Sequence, residues 1–173
     1  MIDFLINLLL STGVNGYVAT HDWVWPVCEI LHFFGMALII GTIGLVDIRI
    51  LGVGKGLPIK SLERFIPLGV IGFTINVLTG LTFVGGNPIG GPREYLSNLA
   101  FLIKMGLILL AGVNLLVFYA AGIVRAADAV SPDGDAPISA KVVAVVSLLA
   151  WFGVILFGRF IMYDDTLRYA WGL

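Results

Sequence analysis

The stretch Trp23-Val-Trp-Pro-Val-Cys-Glu-Ile-Leu-His-Phe-Phe-Gly-Met-Ala-Leu-Ile-Ile-Gly-Thr-Ile-Gly-Leu-Val-Asp-Ile-Arg-Ile50 decides the fold. It is apolar for longer than the roughly 20 residues that an α-helix needs to cross a bilayer. Its charges are confined to Glu29, Asp47 and Arg49; the last two, like Glu63 and Arg64, sit at a helix end and are expected to be interfacial anchors. Asp22 is a suitable N-cap for it, and Pro26 falls in the first turn, where a missing N–H is tolerated. Three further stretches of the same kind follow, at about 65–83, 97–123 and 139–163. Between the second and third lies Val84-Gly-Gly-Asn-Pro-Ile-Gly-Gly-Pro92, too rich in breakers for a helix to cross. Residues 126–137 form a polar, turn-rich linker between the third and fourth.

Composition agrees with that reading. The chain has 173 residues, 59% hydrophobic and 12% charged, at a mean hydropathy of +1.03. Soluble domains carry about a quarter of their residues as charges, so this is an integral membrane protein and all-α. Four spans with short connections fill the length as one membrane domain, a four-helix bundle. A net charge of -1 gives no basic field to hold nucleic acid. The single cysteine, Cys28, excludes a disulfide framework and any multi-cysteine metal site made by this chain alone. The first ten residues lack the basic start of a secretory signal and are too short to span; they predict a short interfacial helix.

Basic residues orient the spans, because Lys and Arg are retained on the cytoplasmic side. Arg49, Lys55, Lys60 and Arg64 follow the first span, and Arg125 and Lys141 flank the linker. The opposite side holds Arg93 and Arg168, while Lys104 and Arg159 lie inside spans. Both chain ends are therefore expected outside, in the periplasm if the host is a bacterium.

Ionisable groups inside spans are rare, and each is a functional candidate. At about 1.5 Å rise per residue, Glu29 and His32 fall roughly 10 and 15 Å below the outer end of the first span. Asn76 on the second, Lys104 and Met105 on the third and Arg159 on the fourth fall in the same outer layer. On the first span, Cys28, His32 and Met36 recur every four residues and share a stripe.

Three readings of this layer stand side by side. In the first, His32 is an axial ligand of haem b, Lys104 and Arg159 hold propionates, Glu29 orients the imidazole or accepts charge, Met105 or the His32 of a second copy completes the shell, and Asn76 lines the same layer. In the second, the thiol, imidazole and thioether of Cys28, His32 and Met36 take copper. In the third, polar side chains only join helices, and the chain is a structural or anchoring subunit with no cofactor. A di-iron site is excluded for a single chain, since Glu29-x-x-His32 is the only motif of its kind. Gly52-Val-Gly-Lys-Gly56 lacks the spacing of a phosphate-binding loop. No extramembrane domain is large enough for independent catalysis, so an electron-transfer or non-catalytic subunit is expected, with a second copy or a membrane or periplasmic redox protein as partner. The terminal segment 164–173, with Tyr169 and Trp171, is a candidate docking element.

Glu29-Ile-Leu-His-Phe-Phe-Gly35, Asn87-Pro88, Tyr95-Leu-Ser-Asn-Leu-Ala-Phe-Leu-Ile-Lys104 and Trp151 followed by Gly158-Arg159 resemble a bacterial family of small, uncharacterised four-helix inner-membrane proteins, over most of the chain. More remotely, the sequence is similar to the membrane domain of copper-resistance D proteins and to four-helix b-type cytochromes. The nearer resemblance implies fold and bacterial inner-membrane location and carries no reaction. Bis-histidine cytochromes pair histidines from two helices, whereas here His32 is alone within the spans.

Overall fold

In a computed structural model, which describes residues 2–131 and 134–172, the chain is helical, with no strand among the described residues. Met1, Leu173 and the linker residues Pro132 and Asp133 lie outside them. The helices are α1 (Ile2–Ser11), α2 (Val14–Thr20), α3 (Val24–Ile50), α4 (Ile59–Glu63), α5 (Ile66–Gly86), α6 (Gly91–Leu96), α7 (Leu99–Ala120), α8 (Ile123–Asp128), α9 (Ile138–Phe160) and α10 (Asp164–Trp171). Four stretches are long and apolar enough to cross a membrane, and they contain α3, α5, α7 and α9. Large apolar side chains point outward along them: Phe33 is 68% exposed and Leu109 69%. In water such a surface would aggregate; it is the surface that a membrane-spanning helix presents to lipid.

Several boundaries differ from expectation. Trp23, in helical conformation, precedes α3 with no side-chain cap, so Asp22 does not serve as N-cap. The second span runs on through Gly85 and Gly86 because α2 lies against it: a β-carbon on Gly86 would sit 2.6 Å from Val18 Cγ2. The breaker-rich loop turns directly into α6, with Pro92 in its first turn, where proline is preorganised. The third span starts later than 97, since Asn98 is its N-cap and accepts from the Phe101 amide at 2.9 Å. It stops earlier, at Ala120, and Gly122 (φ 70°) redirects the chain into α8. The fourth helix ends at Phe160, followed by the 3₁₀ turn Ile161–Tyr163. The expected N-terminal helix is present as α1, but α2 follows it at a 54° bend, and the pair is long and apolar enough for one broken span.

Two antiparallel hairpins make the body. In the first, α3 lies on α5 with Trp25 beside Phe83, His32 beside Thr79 and Gly35 beside Gly72. The backbones nearly touch, since a β-carbon on Gly72 would meet Gly35 O at 2.6 Å. Small residues permit such approach where lipid offers no hydrophobic drive between helices. In the second hairpin α7 lies on α9, with Leu107 over Gly153 and Asn114 Nδ2 donating to Val143 O at 3.0 Å.

The hairpins meet through α3 and α9, so the order across the molecule is α5, α3, α9, α7. No comparable α5–α7 interface closes them into a ring among the described residues. At one end, the basic end, Val46, Ile50, Ile59, Phe118, Ala127, Ala136, Ala140 and Ala144 form an apolar cluster drawn from α3, α4, α7, α8, α9 and the linker. Moving away from it, the α3–α9 seam opens into an apolar groove of about 270 Å³ between Ile40, Gly44, Leu148 and Trp151. At the other end α1 and α6 are tied by the Arg93–Asp3 ion pair (2.6 Å). There α10 caps α7: Asp164 Oδ1 accepts from the Leu99 and Ala100 amides at 2.8 and 3.2 Å. We call this the terminal end.

Candidate functional site

The candidate site grows out of the α3–α5 register. Thr79, buried, sends its hydroxyl proton to Ile75 O at 2.8 Å, the usual back-bond of a helical threonine. Its oxygen then accepts from His32 Nδ1–H at 2.7 Å. Assigning the protons from this network leaves the neutral imidazole with its lone pair on Nε2. Metal-bound histidines are held in this way, with the far nitrogen fixed by a second partner. The Phe83 ring stands edge-on to the imidazole, 5.3 Å between centroids, and Trp25 lies 5.0 Å from Phe83. His32, half-buried, is thereby locked in orientation by one polar and one aromatic neighbour.

Glu29, one turn from His32, does not hold the imidazole. Its Oε1 accepts from Trp25 Nε1 at 3.0 Å, and its side of the helix is exposed. Tyr95 on α6 is close enough to feel Glu29; burial pushes its phenol above the usual range, with Glu29 and then Glu94 adding to the effect. Lys104, from the other hairpin, lies within electrostatic range of His32, and its half-buried chain runs along Gly158, where a β-carbon would lie 3.5 Å from Nζ.

The remaining sequence candidates separate. Asn76 spends its amide on Gly72 O (3.0 Å) and packs over Gly35, so its visible role is joining α3 to α5. Arg159 is exposed and turns to its own helix end, 3.9 Å from Met162 Sδ and 5.7 Å above the Tyr163 ring. Met105 is 38% exposed on the apolar surface. Cys28 and Met36 are half-buried along α3. Among the described residues no three of His, Cys, Asp and Glu gather as a metal-binding group.

Sequence reasoning missed Thr79, Phe83 and Tyr95. For Thr79 and Phe83 the signal was the antiparallel register, which sets 25 against 83 and 32 against 79. It also treated Asp47 and Arg49 as interfacial anchors, whereas they are buried, at 6% and 2% exposure. The chain folds back beyond α3 onto Arg49, whose Nε donates to Leu57 O at 2.6 Å, and α9 brings Ser147 to Asp47. No family model matches this chain, and no curated protein or solved structure is significantly similar to it.

Proposed function

We propose that the chain is an integral subunit of a bacterial inner membrane, with its terminal end outside, that binds haem b through His32 in an electron-transfer system. The observation that carries this reading is the imidazole tied to Thr79 through Nδ1, with the Nε2 lone pair left for a ligand. The residues fit the group at one axial position and at one carboxylate: His32 would ligate iron, and Lys104 would pair with a propionate. Phe83 and Trp25 supply the apolar wall, and Thr79 keeps the ring from turning. Haem, when bound, supplies one-electron exchange. A second copy of the chain would bring its own His32 to the group, since Met105 is exposed on the apolar surface and Arg159, turned to its own helix end, is no iron ligand. The orientation is supported by the basic residues around α4, α8 and the linker, which belong on the cytoplasmic side.

Haem titrated into the detergent-purified full chain should bind saturably with a Soret shift, and His32→Ala should lose that binding while remaining folded. Equal uptake by His32→Ala overturns the reading. Copper retention that falls in Cys28→Ser and Met36→Leu, with no Soret band in the parent, would transfer the site to copper. A folded parent that retains neither group would leave a structural subunit.

A further inference from the structure

Asp47 stands on α3 about one turn from the basic end, next in sequence to Val46 of the apolar cluster that joins the two hairpins. Its side chain is almost wholly enclosed, and Oδ2 has no hydrogen-bond partner. The hydrogen-bonding neighbour of its carboxyl is the buried Ser147 on α9, across the α3–α9 seam. The cations at this end are held elsewhere: Arg49 directs Nε to Leu57 O, and Lys55 and Lys141 close on Asp135 at 3.0 and 3.3 Å. Lys60 and Glu63 come from α4, Arg64 follows it, and Arg125 comes from α8. The element packed directly on Asp47, α9, faces it with a hydroxyl and alanines rather than a charge.

An ionised carboxylate with a dry, unpaired oxygen is costly within a membrane protein, and such groups mark proton or ion sites. A cation would need several oxygen ligands, and no acidic group beside Asp47 is gathered for one among the described residues. A proton needs none. We propose that Asp47 is a proton-binding site at the basic end, carrying its proton on Oδ2 and leaving the other carboxyl oxygen to Ser147. It lies a single turn, about 5 Å, from the end of α3. The site is independent of the His32 reading.

Infrared spectra of the purified full chain, recorded across a pH series, test this. At neutral pH the parent should show the carbonyl stretch of a protonated carboxylic acid, far above the pH near 3.9 at which an exposed aspartate ionises. Asp47→Asn should lose that band, and Ser147→Ala should shift it. A neutral-pH spectrum in which parent and Asp47→Asn share the same acid band, or in which the parent has none, overturns the site. Should Asp47→Asn fail to fold, Ser147→Ala decides: a shifted band upholds the proposal and an unshifted one overturns it.

Discussion

The basic end and the terminal end of this molecule solve the same problem differently. At the basic end, pieces of five helices and the linker converge on alanines, and Ala140 and Ala144 are wholly enclosed. At the terminal end, the polar groups belong to one hairpin, with His32 held on Thr79 and Lys104 of the other hairpin within electrostatic range. The difference divides labour: the packed end fixes the relative position of the hairpins, and the terminal end holds an oriented imidazole.

That division can be broken. Ala144→Leu should produce the largest loss of stability, about 1–3 kcal/mol, because overpacking a filled core forces backbone shifts. Reversible unfolding in detergent checks it, and haem affinity of the folded fraction should stay near the parent's. Thr79→Val tests the opposite end. It removes the partner of Nδ1 and should weaken haem binding about tenfold, or about 1.4 kcal/mol, with little change in unfolding. An unchanged affinity would mean that Thr79 does not orient the ring.

Smaller effects sharpen the contrast. Asn114→Val, which removes the donor to Val143 O in the α7–α9 hairpin, should cost about 0.6 kcal/mol in the same unfolding assay. Asp135→Asn should have the smallest effect. Hydrogen bonds from Lys55, then Lys141, lower the pKa of that exposed carboxyl. A depressed pKa contributes stability that is present above the ordinary aspartate value, near 3.9, and is lost as pH falls through the folded value. The difference between parent and Asp135→Asn should therefore be constant at neutral pH, begin to shrink below about pH 4 and vanish only below the lowered folded value.

The spans were legible because an apolar run of membrane length has few other fates, and His32 was legible because charge and imidazole are rare there. Helix ends were less so. Gly85 and Gly86 read as breakers in isolation and are helical because Val14 and Val18 of α2 pack on them, a tertiary cause. Thr79 and Phe83 look like ordinary span residues until the hairpin register sets them beside His32 and Trp25. Arg159 and Met105 shared a depth with His32 but not a direction; depth follows from counting, whereas direction depends on the order α5, α3, α9, α7. Asp47 was misread for a related reason: its place near a helix end suggested water, and α9, which brings Ser147 to its carboxyl, removed it.

The most direct test is the reduced-minus-oxidised absorption spectrum of the protein purified gently from membranes, with parent and His32→Ala measured side by side at equal folded concentration. The account predicts a haem b difference spectrum in the parent and its loss in His32→Ala. A parent spectrum unchanged by the substitution, or no haem signal in a folded parent supplied with haem, would contradict it.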